Sequence, residues 1–368
     1  MEYHSQQKSN MKRLLTLCTM LCIAVVAMAQ SEQPLPKMFA HRGCWSKVCP
    51  ENSIPAVGRA ARHGYMGIEC DVKMTSDGKM VIMHDKTINR TCRNADDYSK
   101  IEGKISVEDL TFKELRNNYV LASSNPDFRM PVPTLEELLK ECKKHNIVPM
   151  LHSKYVESYR LAQKIMGDNW VCFTKDVKAL KECRKFSKCL ILYAIDEKNA
   201  ETAFEVLPEL GGNVGVSSMK REALTRERNK RLKALGYEVQ SSIYKAPREV
   251  YALRDGVTIL LSDFSIMPDP NNKPVKVVEL EPQVLAQGQT IRVVADEKVR
   301  EGGVAIDIEY EGTVEIAFEK NAQIYTLHNN GTYRDRFGVR FTGRKGMVTL
   351  HGVEESKIKS AKIYFYEF

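Results

Sequence analysis

From Pro36 to about Ser265 the chain repeats one pattern, a short apolar run followed by a segment with helical spacing. The runs are Lys37–Ala40, Met66–Val72, Met80–Met83, Val148–Leu151, Val171–Phe173, Leu190–Ala194, Val214–Ser217, Tyr237–Ile243 and Thr258–Leu261. Helical segments such as Ile54–His63, Leu135–Lys144, Tyr159–Met166 and Glu222–Leu235 lie between them. Strands that are apolar throughout are buried on both faces, and their alternation with helices predicts a parallel sheet covered by helices. The number of units fits a closed TIM-type (β/α)8 barrel of the α/β class better than an open sheet, although nine runs qualify as strands. Only the stretch around Asp77-Gly78 joins Met66–Val72 to Met80–Met83. A parallel crossover needs about a dozen residues, so this pair is expected to be a hairpin, an irregularity in the barrel. A polar insertion, Lys86 to Met130, carries its own helix around Val107–Asn117.

Beyond the barrel the pattern changes. Pro268-Asp269-Pro270-Asn271-Asn272-Lys273-Pro274 has the composition of a linker. Short runs follow at Thr290–Ala295, Val304–Tyr310, Thr313–Phe318, Gln323–Leu327, Phe337–Phe341, Met347–Leu350 and Ala361–Tyr366, punctuated by glycine. They predict a small all-β sandwich. The expected division is a barrel over residues 30–268, a linker at 269–274 and a β-sandwich over 275–368. A glycan or envelope ligand for the sandwich rests on analogy of fold alone, and a purely structural role stands equally open.

The N-terminal segment has the form of a secretory signal, with Lys12 and Arg13, an apolar run from Leu14 to Met28, and Ala27-Met28-Ala29 as the cleavage site. Met11 is the better start, and residues 1–29 are expected to be removed. The run is too short for a membrane span, so an exported protein, periplasmic or extracellular, with no stable membrane insertion is expected. Net charge is +8, and losing Lys8, Lys12, Arg13 and Glu2 leaves +6, spread along the chain. That is a solvated surface rather than a nucleic-acid interface. The mature chain keeps eight cysteines, Cys44 to Cys189, and no Cys-x-x-Cys pair, which excludes a zinc ribbon. Export permits disulfides, and Cys44 and Cys49 stand close enough in sequence to pair, but most of these thiols are expected to be small buried hydrophobes.

The residues with chemistry crowd into the first units. Glu69 and Asp71 are two apart on a strand and therefore share a face, here the barrel lumen. Two carboxylates aimed together repel unless a cation sits between them, which could be a metal or a basic side chain. His41, Glu69, Asp71, His84 and His152 all fall at or near strand ends, where barrels of this type carry their chemistry.

The ordered set His41-Arg42-Gly43, Pro50-Glu51-Asn52, Glu69-Cys70-Asp71-Val72, Thr75-Ser76-Asp77-Gly78, His84-Asp85, Arg90-Thr91 and Pro133-Thr134-Leu135-Glu136-Glu137 resembles the glycerophosphodiester phosphodiesterase family. The resemblance covers roughly residues 36–268 and is sharper in the first half. It implies a small-molecule phosphodiester substrate, one divalent metal ion, and cleavage to glycerol phosphate and an alcohol, by water or through a cyclic phosphate. It implies that His41 and His84 are catalytic, that Arg42 and Lys154 bind phosphate, that Glu69 and Asp71 are metal ligands, and that Glu51 and Asn52 support them. Cys92 stands where the family has a threonine, which implies a place near the site. The family's third acidic ligand is replaced by His152, with Glu157 as the alternative. A neutral imidazole removes a negative charge and shifts preference from Ca²⁺ and Mg²⁺ towards Mn²⁺ or Zn²⁺. The rival reading is a catalytically impaired barrel that binds an envelope glycan or a headgroup. Gln240-Ser241-Ser242-Ile243 and Leu261-Ser262-Asp263-Phe264 depart from the family pattern and leave the shape of the pocket open.

Overall fold

The computed structural model describes residues 35–46, 48–243, 248–318 and 324–368, so the signal segment expected at 1–29 lies outside the described residues. The chain begins with β1 (Lys37–Ala40), β2 (Gly67–Met74) and β3 (Met80–Ile82). A ribbon of β4 (Cys92–Asn94) and β5 (Tyr119–Leu121) follows. Then come β6 (Val148–His152), β7 (Val171–Thr174), β8 (Leu190–Ala194), β9 (Val214–Ser218), β10 (Glu238–Ile243) and β11 (Ile259–Ser262). Eight strands pair in the order β1-β2-β6-β7-β8-β9-β10-β11, and β11 returns in parallel to β1, closing the barrel. Phe39, Met150, Val171, Leu192, Ile259 and Leu261 form one of its apolar clusters.

The ninth apolar run is β3, which pairs antiparallel with the end of β2, Val72 opposite Ile82. The tight turn between them needs Gly78 at φ 80°, and Thr75 Oγ1 donates to Asp77 Oδ1 at 2.6 Å. The link was too short for a crossover, and the structure resolves the surplus strand in that way.

Helices α1 (Ile54–Arg62), α2 (Phe112–Asn118), α3 (Leu135–Lys144), α4 (Val156–Met166), α5 (Val177–Arg184), α6 (Ala203–Leu210), α7 (Arg226–Ala234) and α8 (Arg248–Arg254) accompany the strands. Thr134 and Glu137 form a reciprocal cap that starts α3. The insertion departs from the single helix expected at Val107–Asn117. A 3-10 turn covers Val107–Asp109, and Thr111 then caps α2. The β4–β5 ribbon gave no sequence signal because its strands are only three residues long and one of them carries Arg93 and Asn94. Ile88, Cys92, Val107, Leu115 and Leu121 make a core for this insertion. Cys92 is thus a packing residue, with burial pushing its thiol up to about 12. All eight described cysteines are buried free thiols.

The C-terminal part is all-β: β12 (Ser265–Ile266), β13 (Lys276–Leu280), β14 (Gln283–Leu285), β15 (Thr290–Val294), β16 (Val299–Ala317), β17 (Ile324–Arg344), β18 (Met347–Gly352) and β19 (Ser356–Glu367). These strands form one connected antiparallel network rather than two separate sheets. The first half of β16 pairs with β19 and its second half with β18, with a bulge at Glu309–Glu311 and Gly312 at φ 98° between them. A strand that changes partners at a bulge turns a corner, which lets one sheet enclose a core of Ile306, Ile316, Tyr325, Phe337, Leu350 and Ile363. Pairing begins earlier than the proline-rich linker suggests. β12 lies before Pro268, yet Ser265 pairs with Val339 of β17. Linker composition marks a loop, not the point where a new sheet starts.

Barrel and sheet belong to one unit, Pro36–Phe368. Arg59 on α1 pairs with Glu301 of β16 at 2.9 Å. His63, the residue after α1, stacks on Phe368 at 4.0 Å between centroids and lies 3.5 Å from Glu301. Tyr325 of β17 donates to Glu249 of α8 at 2.6 Å. Among the described residues no helix is long and apolar enough to cross a membrane.

Burial drives the His63 pKa down to about 4. The native ring is therefore neutral, while the unfolded chain takes up a proton below about 6.5. Stability should consequently fall as pH drops from about 6.5 towards 4, by about 2 kcal/mol from this residue between pH 7.5 and 5. Urea midpoints of the wild type and His63→Gln at the two pH values test it; equal pH dependence would contradict it.

Candidate active site

β2 places Glu69 and Asp71 on one face, and each is only 2% exposed. In the parallel register Asp71 stands opposite His152, the last residue of β6. His152 Nδ1 lies 3.1 Å from Asp71 Oδ1 and 3.9 Å from Glu69 Oε1. Its half-exposed ring leans on Phe173, 4.8 Å between centroids. One ligand atom from each of the three residues falls within a 4.8 Å span. Burial and the Asp71 charge raise Glu69 well above the usual carboxylate range. Burial acts the same way on Asp71, but His152, His84 and Asn52 outweigh it and hold that group at about 2. The pair cannot keep two charges on its own. Two buried carboxylates and an imidazole at this spacing are a donor set that suits a divalent cation.

The segments either side of Trp45 clasp these acids. Arg42 and Asn52 adopt left-handed backbone conformations, φ 56° and 52°, which non-glycine residues seldom do. Arg42 N–H thereby donates to Glu69 Oε2 at 3.2 Å, and Asn52 Nδ2 donates to Asp71 Oδ2 at 3.1 Å. Asn52 N–H bonds back to the Arg42 carbonyl at 2.8 Å. The Arg42 guanidinium donates to Glu51 Oε1 at 2.9 Å, and its Nε lies 3.7 Å from Asp71 Oδ2. The His-Arg-Gly and Pro-Glu-Asn fragments are therefore two halves of one structure. Arg90 extends it, donating to both Glu51 oxygens at 2.8 Å and to Asp85 Oδ2 at 2.6 Å. Burial would raise Glu51, but Arg90 and Arg42 keep it below its ordinary value. The Arg90 hydrogen bond likewise holds Asp85 down to about 2.

The two histidines enter from separate strands. Ala40 pairs with Ile68, so His41 follows β1 at the level of Glu69. His41 Nδ1 lies 2.8 Å from Asp263 Oδ1, which also accepts from Trp45 Nε1 at 3.0 Å. Met83 N–H bonds the Asp71 carbonyl at 2.9 Å and so sets His84 beside the acids. His84 Nδ1 lies 2.7 Å from Asp85 Oδ1. Lys154 stands on the exposed loop after β6 with its ammonium 5.2 Å from the Tyr155 ring centroid. Glu157 lies in the first turn of α4, outside the three-residue cluster.

Glu69, Asp71, His152, Arg42, Glu51 and Asn52 thus form one bonded group, and His41 and His84 join it at the same barrel end. Sequence alone gives Asp263, Arg90 and Trp45 no role in the site. Arg90 lies in a fragment that matches the family and Asp263 in one that departs from it, and Glu51 and His41, to which they bind, lie 39 and 222 residues away. No local pattern reports such pairings.

Gly43 underlies the clasp. At φ 77° it is strained for any side chain, and a Cβ would stand 2.8 Å from the Ala56 Cβ. Gly43→Ala should lose about 1–3 kcal/mol of stability. A urea midpoint equal to wild type would contradict this account of the turn.

The model of the glycerophosphoryl diester phosphodiesterase family matches residues 41–237. Mouse glycerophosphodiester phosphodiesterase 1 is 40% identical over 114 residues, 30% of this chain and 31% of that protein. A Bacillus altitudinis glycerophosphodiester phosphodiesterase is 35% identical over 107 residues, 29% of this chain and 40% of that one. The match thus spans well under half the length of these relatives. Among solved structures, an Oleispira antarctica phosphodiesterase in complex with the product sn-glycerol-3-phosphate superposes with TM-score 0.51 at 19% identity, over 62% of this chain and 93% of that one. A glycerophosphoryl diester phosphodiesterase structure from Silicibacter pomeroyi gives 0.51 at 19%, over 63% and 91%. These two likenesses bear on the barrel fold. With the family model covering more than half of the sequence, the chain belongs to the glycerophosphoryl diester phosphodiesterase family.

Proposed function

We propose that the protein is a metal-dependent phosphoric diester hydrolase that cleaves a glycerophosphodiester to glycerol phosphate and an alcohol. The observation that carries the reading is the buried Glu69–Asp71 pair with His152 beside it and two carboxylate-held imidazoles at the same barrel end. Glu69, Asp71 and His152 would hold the ion, which when bound supplies neutralisation of phosphoryl charge and polarisation of the nucleophile. Arg42 and Lys154 bind the non-bridging phosphoryl oxygens, and Glu51 keeps the Arg42 fork in place. One of His41 and His84 takes the proton of the attacking hydroxyl as its oxygen bonds to phosphorus. The other gives a proton to the leaving alkoxide as the old P–O bond breaks. Water is the nucleophile for hydrolysis, and the neighbouring substrate hydroxyl would give a cyclic phosphate first.

A non-catalytic, headgroup-binding barrel is the rival. Both imidazoles having a carboxylate partner favours the enzyme, because binding alone has no use for two oriented proton carriers. Export, read from residues 11–29, belongs to this proposal and rests on the sequence.

His41→Ala and His84→Ala should each lower kcat by about 10²–10⁴-fold on the best diester of a headgroup panel, with circular dichroism unchanged. Near wild-type kcat in either variant would remove that residue from the mechanism. His152→Glu should restore an acidic ligand and move the activating ion towards Mg²⁺ or Ca²⁺. An unchanged metal preference would place His152 outside the coordination set.

A further inference from the structure

We propose that Asp263 and Arg340 are positioning residues for His41, which makes the C-terminal sheet a working part of the barrel's catalytic end. The inference rests on the phosphodiesterase reading of the site.

His84 finds its carboxylate in the next residue, so its pairing is local. The partner of His41 comes from the end of the last barrel strand, β11. Asp263 follows β11, 222 residues along the chain, and its Oδ1 receives both His41 and Trp45. An ionised carboxylate only accepts hydrogen bonds, so the contact requires the proton on His41 Nδ1. That choice of tautomer assigns proton exchange with substrate to Nε2, and the negative charge favours the imidazolium formed during turnover.

Asp263 is held in turn by β17. Arg340 Nη2 donates to the Asp263 carbonyl and Nη1 to Cys44 Sγ. Arg340 N–H donates to the Phe264 carbonyl at 2.9 Å. The next two residues, Ser265 and Ile266, pair with Val339 and Gly338 of the same strand. Tyr65, whose hydroxyl donates to the Ser265 carbonyl at 2.9 Å, lies beneath the guanidinium, 5.7 Å from ring centroid to Arg340 Cζ. From the barrel side, Ser262 Oγ accepts the N–H groups of Phe264 and Ser265, and the Ser262 carbonyl accepts from His41 N–H at 3.1 Å. The loop that bears Asp263 is thus fixed on one side by barrel strands and on the other by a strand of the C-terminal sheet. An arginine half-buried at such a junction is costly unless its donors are used. Here both Nη groups are used, one on the residue that orients His41 and one on the cysteine three places after His41.

The test uses the full chain with divalent metal added, as Asp263→Asn, Arg340→Met and the double variant. Turnover of glycerophosphocholine and other glycerophosphodiesters is followed, together with the downfield proton resonance of the His41 Nδ1–H. Asp263→Asn should lose that resonance and about 10²–10⁴-fold in kcat, with KM little changed. Arg340→Met should weaken the resonance and lower kcat by roughly tenfold, a smaller loss than through the carboxylate itself. The double variant should be no worse than Asp263→Asn, because Arg340 acts through Asp263. If Arg340→Met does not fold, Arg340→Lys is judged by the same criteria. Wild-type kcat and resonance in folded Asp263→Asn would overturn the role of Asp263. Losses that multiply in the double variant would overturn the link through Arg340. A wild-type protein that turns over no diester would overturn the phosphodiesterase reading, while the resonance would still decide on the pairing.

Discussion

Two carboxylates on one strand, two residues apart and both out of water, are the constraint around which this barrel end is arranged. Unpaired, they cannot both be charged. Around them the protein sets an imidazole, an arginine, an asparagine amide and a backbone N–H. That is a large polar investment in one place, and it depends on two strained residues, Arg42 and Asn52, held in left-handed conformations. Strain of this kind persists only where the surroundings fix it, and such positions concentrate at functional sites.

Much of this was legible in the sequence because the signals are local. Period-two geometry put Glu69 and Asp71 on one face. The brevity of the Asp77-Gly78 link separated β3 from the barrel. The Thr-Leu-Glu-Glu stretch marked the start of α3. His152 fell where the strand pattern ended, and the β2–β6 register then set it against Asp71. What was missed depends on contacts distant in sequence. Arg340 and Asp263 are ordinary residues in their own segments and acquire meaning only when β17 pairs with β12 and lies beside the loop that follows β11. The β4–β5 ribbon was missed for the opposite reason: three-residue strands carry too little periodicity to stand out.

The division into barrel, linker and accessory sandwich also changes its sense. The linker exists as a loop, with a short 3-10 turn at Pro270–Asn272. Hydrogen bonding across the boundary nevertheless begins before it. Arg59 with Glu301, His63 with Phe368, and Tyr325 with Glu249 join the two parts at separate points. These contacts favour a structural role for the C-terminal sheet, whereas the alternative of a glycan-binding module had only analogy of fold behind it. A sheet that supports the His41 loop also gives a physical reason for the two parts to travel in one chain.

On our proposal, the Glu69–Asp71 pair holds a cation together with His152. Diffraction from crystals grown with Mn²⁺, recorded at the manganese absorption edge, would locate that ion. An anomalous peak should appear bonded to carboxylate oxygens of both Glu69 and Asp71, with His152 bonded to it directly or through one water. No peak between Glu69 and Asp71 at saturating Mn²⁺, with Arg42 alone neutralising the two acids, would contradict the proposal.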